Sequence, residues 1–412
     1  MEGLHLTADC FECLCPDNLL LNQQVLSDFL RQATLDAGLS IVGEHFFPFT
    51  HEDGSDAGVT GALLLAESHL AVHTWPERQA VTLDVYVCNF QNDNSEKARA
   101  IIERLILGFQ AQRVSRQELH RGETSLRIVH EALSRHTSMC TQLSETLAQQ
   151  RSAFQHIEIA NSPEFGKLMR IDGAMMTSEK DEFFYHECLI HPAAIAHGTP
   201  KNALIIGGGD GGSSEELLKY RSLEKLTLCE IDASVIELAK QHLTSIHRNA
   251  FADPRLQVNI ADGFAYLQTS NERYDLIYLD LTDPMSLLDE IGLAASCMSA
   301  DFFALCREIL NVNGSLVLHL GSPVYHPERV SHTYAQLRKV FPILRPYTVF
   351  VPSYGALWGM VSASVECDPL SISEATVKQI IENQQITDLQ YYNPCVHSAL
   401  FALPNYLKKL IA

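Results

Sequence analysis

Ala203-Leu204-Ile205-Ile206-Gly207-Gly208-Gly209-Asp210-Gly211-Gly212-Ser213 decides the fold of the second half of this chain. An apolar run of strand length opens into a glycine-rich turn and then a helix, a junction where a ligand can approach backbone N–H groups closely. Working outward, residues 226–230, 256–260 and 274–279 also read as buried strands, and acids follow them: Glu230, Asp262 and Asp280. Glu230 stands at the spacing where a carboxylate grips ribose hydroxyls. Strands alternating with helical patterns predict a doubly wound, Rossmann-like α/β domain with its site at the carboxyl ends of the strands.

The charge of that rim narrows the ligand. Asp210 lies inside the glycine loop, and Asp262, Asp280 and Asp283 crowd the same edge. A dinucleotide pyrophosphate would be repelled there, whereas a cationic nucleoside would be welcomed. S-adenosylmethionine brings a carboxylate that Asp210 disfavours; its decarboxylated form presents only positive charge. Any one of these acids serves equally well as a helix cap or surface group. Four at successive strand ends favour a site.

The first half turns on Glu67-Ser68-His69-Leu70-Ala71-Val72-His73-Thr74-Trp75-Pro76-Glu77, which follows an apolar run at 62–66. A strand that delivers a serine into a sharp connection exposes a nucleophile. The plainer alternative is two strands and a polar turn, with Trp75 and Pro76 as punctuation. Residues 5–11 and 39–47 read as strands. Val25, Leu26, Phe29, Leu30 and Ala33 share a helical face that stops at Gly38. Val81, Leu83, Val85 and Val87 alternate with Thr82, Asp84 and Tyr86, and Cys88 continues the polar series. A further helix carries Ile101, Ile102, Leu105 and Phe109. The expectation is an α+β sandwich, a sheet with helices on one face, over residues 1–121. Polar residues 122–150 read as a linker. The α/β domain, preceded by a small β region, takes 151–412.

The 412 residues carry a formal charge of −20, which excludes nonspecific binding to nucleic acid or anionic membranes and suits cationic ligands. No leader and no bilayer-length apolar run is read, so a cytoplasmic protein is expected. Eleven cysteines in a chain this long do not make a disulfide framework. Cys10, Cys13 and Cys15 lack a second ligand pair, and strand alternation turns Cys10 away from the other two. No metal site is expected.

Ser68, His73 and Cys88 at their spacing, with Phe11-Glu12-Cys13, Gly58-Val59-Thr60-Gly61 and Asp84, resemble the bacterial and archaeal pyruvoyl-dependent S-adenosylmethionine decarboxylases, from about His5 to Arg121. The resemblance implies that the Ser68 hydroxyl attacks the Glu67 carbonyl and that the chain breaks between them. Residue 68 is left as a pyruvoyl cofactor that forms a Schiff base with the substrate amine. It implies His73 as the processing base, Cys88 as the acid that reprotonates the product, and Thr60 as a processing aid where serine is usual. Asn89 stands where glycine is usual.

From about Phe154 to the C-terminus the chain resembles the spermidine synthases, through Phe154-Gln155, Ile171-Asp172-Gly173, 181–187, the glycine loop, Glu230-Ile231-Asp232, Asp262-Gly263, 280–284, Pro352-Ser353-Tyr354 and Tyr391-Tyr392-Asn393. By that resemblance Gln155, His186, Asp210, Glu230, Asp262 and Gly263 hold decarboxylated S-adenosylmethionine, Tyr185, Asp283 and Tyr354 line the acceptor channel, and Asp280 is the base. Residues 285–292 are longer and more apolar than the family's gatekeeping loop, which leaves the acceptor open. One half makes an aminopropyl donor and the other uses it, so the joined chain reads as a bifunctional polyamine enzyme acting on S-adenosylmethionine and putrescine. It is expected as a homodimer or larger homo-oligomer. Two alternatives stand: a first half that decarboxylates ornithine or arginine, or one domain that is inactive and regulatory.

Overall fold

The alternation at 81–87 lies inside a sheet. In the computed structural model, which describes residues 3–66, 68–89, 92–122, 127–282 and 293–412, the chain divides into units 1–125 and 126–412. The first unit contains β1 (Gly3–Cys13), β2 (Ile41–Thr50), β3 (Asp56–Leu65), β4 (His69–Trp75), β5 (Ala80–Cys88) and β6 (Ala111–Arg121). Their order is β2-β3-β4-β5-β1-β6, and every pairing is antiparallel. The pleat sends alternate side chains to opposite faces, so Val81, Leu83, Val85 and Val87 are buried while Thr82, Asp84 and Tyr86 are half-buried on the other side. Helices Gln23–Asp36 and Ser95–Phe109 cover the inner face and add Leu26, Leu30, Ile101, Leu105 and Phe109 to one apolar cluster with the strands. Each such side chain contributes about 1.5–3 kcal/mol by leaving water. The outer face keeps Phe47, Phe49 and Trp75 between 46% and 53% exposed.

Cys10 and Cys13 both belong to the core, contrary to the expectation that the strand would turn them apart. Glu12 adopts φ 54°, and this left-handed kink returns Cys13 to the inner face. Burial, with a neighbouring thiol adding to it, pushes Cys10 up to about 12 and Cys13 up to about 11. They are protonated hydrophobes, not thiolate ligands.

The second unit begins earlier than the sequence suggested. The stretch expected as a linker is instead β7 (Arg127–Ser134), β8 (Thr137–Leu143) and β9 (Glu145–Arg151). The first two form a hairpin, and β9 is the edge of a sheet ordered β12-β11-β10-β9 with β10 (His156–Ser162), β11 (Gly166–Ile171) and β12 (Ala174–Ser178). These strands expose much of their surface, so they keep a linker's polar composition; pairing with the adjacent strands, not an apolar pattern, makes them strands. Ala148 pairs with Ile159, and Arg127 reaches buried Glu158.

The remaining sheet contains β13 (Asn202–Gly207), β14 (Lys225–Glu230), β15 (Leu256–Ile260), β16 (Tyr274–Asp280), β17 (Leu310–Gly321), β18 (Ile343–Val351) and β19 (Ala356–Ser364), ordered β15-β14-β13-β16-β17-β19-β18. The pairings from β15 to β17 are parallel, and β19 runs antiparallel to both its neighbours, an addition absent from the sequence reading. Strand order reverses between β13 and β16, which opens a crevice at their carboxyl ends. Helix Glu182–His197, buried nearly all round, packs beneath. None of the described helices is long and apolar enough to cross a membrane.

Candidate active sites

Residues at the ends of β13, β14 and β16 line a cleft in the second unit. Gln155, Tyr185, His186, Asp210, Glu230, Asp262, Gly263, Asp280 and Tyr354 all line it, so the geometry brings together the sequence-predicted donor set, the base and both described acceptor residues. Asp283 lies outside the described residues. Backbone geometry explains the glycines. Gly208 adopts φ +67°, where side chains are strained, and a Cβ on Gly212 would come within 2.2 Å of the His186 ring.

Asp280 is fixed at the base of the crevice. Tyr185 donates its hydroxyl to Oδ1 at 3.0 Å and Ser213 donates to Oδ2 at 2.6 Å, while the Asp280 carbonyl accepts from Gly208 N–H at 2.7 Å. His186 Nδ1 lies 2.8 Å from Glu182 Oε2, and Nε2 lies 3.5 Å from Asp210 Oδ2. Gly212 N–H caps Asp210 Oδ1 at 3.1 Å. Gln155 Nε2 donates to Asp232 at 3.1 Å, and Asp232 N–H donates to Glu230 Oε1 at 2.9 Å. Asp262 caps the next helix through Ala265 N–H at 2.9 Å. Tyr354 gives its hydroxyl to the Met176 carbonyl at 2.6 Å.

Sequence reasoning assigned no role to Ser213, Glu182 or Asp232. Ser213 directly follows the loop in the first turn of its helix, where only the folded crevice reveals its partner. Tyr391 and Tyr392, part of the motif that carried the resemblance, act through their backbone N–H groups, which Glu187 accepts at 2.9 and 2.7 Å.

The site holds one cation among several acids. Burial opposes the charge of His186, but Asp210 and Glu182 outweigh it and hold the imidazole protonated well above its ordinary range. Burial alone would raise Asp210; His186 and the Gly212 N–H bring it below the usual carboxylate range. Asp280 is raised, first by burial and then by the Asp210 charge. Burial pushes Glu230 up to about 7. The remaining negative charge favours a positively charged ligand.

Glu230 gives a stability prediction. Its folded pKa, about 7, stands above its ordinary 4.5, so folding favours the protonated form. Its contribution is therefore complete below the ordinary value and lost as pH rises through about 7. Thermal melts of ligand-free protein should show stability falling by on the order of 3 kcal/mol between about pH 5 and pH 8, with Glu230→Gln flattening the decline. Equal slopes in both proteins would assign the decline to other groups.

In the first unit Ser68 closes the β3–β4 turn: Leu65 N–H donates to the Ser68 carbonyl at 3.0 Å. Ser68 Oγ accepts from Cys88 N–H at 3.0 Å. Cys88 is buried at 4% exposure yet lies outside the apolar cluster. Glu67 lies outside the described residues. His73 Nδ1 contacts Thr60 Oγ1 at 2.5 Å, in a row across the outer face that runs Phe47, Thr60, His73, Thr82. Ser68 and Cys88 are thus together, and His73 and Thr60 are together. The two pairs do not meet within one chain: residue 73 is roughly 16 Å along an extended strand from residue 68.

Comparison with known proteins finds matches to both units. A model of the S-adenosylmethionine decarboxylase family matches residues 4–122, the spermidine synthase tetramerisation domain matches 128–179, and the spermine/spermidine synthase domain matches 182–371. A polyamine aminopropyltransferase of Nitrosomonas europaea is 44% identical over 65% of this chain and 81% of its own length. One of Bacillus mycoides is 36% identical over 68% of this chain and 98% of its own. The crystal structure of a spermidine synthase in complex with the transition-state analogue AdoDATO is 34% identical, with a TM-score of 0.65, covering 71% of this chain and 98% of that one. The spermidine synthase of Thermotoga maritima gives 34% identity and a TM-score of 0.64 over 71% of this chain and 97% of its own. The chain belongs to the polyamine aminopropyltransferase family, and with its S-adenosylmethionine decarboxylase domain it is a bifunctional enzyme of polyamine biosynthesis.

Proposed function

We propose that the first unit cleaves itself between Glu67 and Ser68 and then decarboxylates S-adenosylmethionine, and that the second unit transfers the aminopropyl group of the product to putrescine, giving spermidine and methylthioadenosine. The observation that carries the transferase reading is Asp280: a half-buried carboxylate, tethered on both oxygens, lining an acidic cleft. Glu230 accepts ribose hydroxyls with Gln155 nearby through Asp232, Asp262 and Gly263 hold the base side, and Asp210 with His186 faces the end where a carboxylate would be refused. Tyr185 and Tyr354 flank the acceptor, and the resemblance adds Asp283 to the acceptor set. Asp280 first holds the acceptor's ammonium group and takes a proton from it; the freed amine lone pair then forms the carbon–nitrogen bond as the carbon–sulfur bond breaks in line and methylthioadenosine leaves as the neutral thioether. Product analysis with S-adenosylmethionine and diamines of several lengths tests the substrate pair; carbon dioxide from ornithine or arginine instead would overturn the decarboxylase half of the reading.

The residues around Ser68 fit a self-derived pyruvoyl group. The serine occupies a tight hairpin end, its hydroxyl is oriented by the Cys88 amide, and Cys88 is itself buried. That group would supply a ketone able to accept electrons as carbon dioxide departs. Cys88 then returns a proton to the product carbon. His73 needs a second copy to reach Ser68. The exposed outer face bearing His73, Phe47 and Trp75 suits such pairing, as does the tetramerisation-domain match.

This has a direct test. Ser68→Ala and His73→Ala chains, each unprocessed alone, should restore partial cleavage and decarboxylation when co-expressed, because a mixed dimer contains one complete site. Cys88→Ala should cleave yet turn over poorly. No restoration in mixtures shown to contain mixed dimers would place His73 and Ser68 in the same chain's site.

A further inference from the structure

Asp84 lies on β5 two residues before Tyr86, and Tyr86 pairs with His5 on one side and His69 on the other. The pleat keeps residues 84 and 86 on the outer face, so two imidazoles from flanking strands lean over one carboxylate. His5 Nε2 is 2.8 Å from Asp84 Oδ2, and His69 Nε2 is 3.4 Å from Asp84 Oδ1. Three potential ligand atoms, one from each residue, lie within 4.8 Å of one another, and all three residues are half-buried. Asp84 Oδ1 is itself buried and has no hydrogen-bond partner. A purely hydrogen-bonded trio would aim an N–H at each carboxylate oxygen; here one oxygen is left without a donor.

We infer that His5, His69 and Asp84 form a binding site for a borderline divalent transition ion, with zinc as its best match. Zinc bonds of about 2.0–2.2 Å set neighbouring ligands roughly 3.0–3.5 Å apart in a tetrahedron, a spacing these atoms reach with small rotations. Two neutral imidazoles with one carboxylate suit zinc; magnesium and calcium prefer oxygen alone, and copper(I) prefers sulfur. Three protein ligands leave a fourth position open to water or another group. The site departs from the expectation of no metal, which weighed cysteine spacing only. Its ligands lie on three strands far apart in sequence, and no spacing rule links them. It does not depend on the roles proposed for Ser68, His73 or Cys88.

The test uses the full chain, stripped with chelator, dialysed against zinc and desalted before elemental analysis. Wild type should retain about one ion per chain on this site. His5→Ala and His69→Ala should lose it with circular dichroism unchanged; Asp84→Asn, nearly isosteric, covers the case in which a histidine variant unfolds. Each change should weaken binding by more than about tenfold, the least that even an outer-shell loss costs. Cobalt(II) in place of zinc should give ligand-field bands without the intense near-ultraviolet absorption of thiolate ligation. Absence of uptake, equal uptake by wild type and variants, or a thiolate band that persists in the variants would overturn the site.

Discussion

Asp280→Asn should lose about two to four powers of ten in aminopropyl transfer, the usual span of a lost general base, while binding of the decarboxylated donor survives. The substitution keeps the shape and both tethers' neighbours, and it removes the charge. An amine acceptor is protonated near neutral pH and has no lone pair with which to attack, so a carboxylate that can take the proton matters most there. The base works deprotonated, and burial followed by the Asp210 charge raises Asp280. The acid limb of the wild-type pH–rate profile should therefore lie above the ordinary carboxylate range. Ser213→Ala, which removes a donated hydrogen bond that favours the ionised form, should move that limb higher still. In Asp280→Asn the limb should vanish and the rate should climb with pH as free amine increases. Asp283→Asn should weaken acceptor binding more than it lowers the maximal rate. The measurements are steady-state transfer to putrescine across pH and calorimetric donor binding. Wild-type turnover in Asp280→Asn would remove this carboxylate from proton transfer.

Ser68→Ala should abolish decarboxylation outright and leave transfer from supplied donor intact. With no hydroxyl to attack the preceding carbonyl, no ester forms, the chain stays whole, and no ketone is generated at residue 68. Denaturing intact-mass analysis should show fragments 1–67 and 68–412 for wild type and one uncut chain for the variant. Each unit has its own apolar core, so the loss should not spread to the second. Active decarboxylase consisting only of uncut wild-type chain would overturn self-processing. Loss of transfer in the variant would show that the two activities are coupled through the fold.

Much of the second unit was legible because its signals are local. A buried parallel strand is a continuous apolar run, and a glycine turn must follow where backbone approaches ligand; Gly208 and Gly212 show why, one through φ and the other through the His186 ring. Acids at strand ends converge whenever the strands are parallel and adjacent, so Asp210, Glu230, Asp262 and Asp280 share one cleft as their order implied. Other features left no such trace. Polar residues 127–151 became strands through short-range pairing, β7 with β8 and β9 with the following β10, and half-exposed hairpins keep the polar composition of a linker. Cys13 turned inward through one left-handed residue, Glu12, a choice that strand alternation does not foresee.

The amino-acid sequence by itself determined two units, the chemistry of the residues at 67–88, and an acidic nucleoside site on a doubly wound sheet. Tertiary structure alone decided which side chains meet. Ser213 reaches Asp280, Glu182 holds His186, and Asp84 gathers His5 and His69. It also held His73 away from Ser68, since Ser68 sits in the turn before β4 and His73 lies about 16 Å further along that extended strand. The physical reason is the same throughout: periodicity is written along the chain, whereas pairing register and closure between distant segments are set only when buried surface and backbone hydrogen bonds are satisfied together.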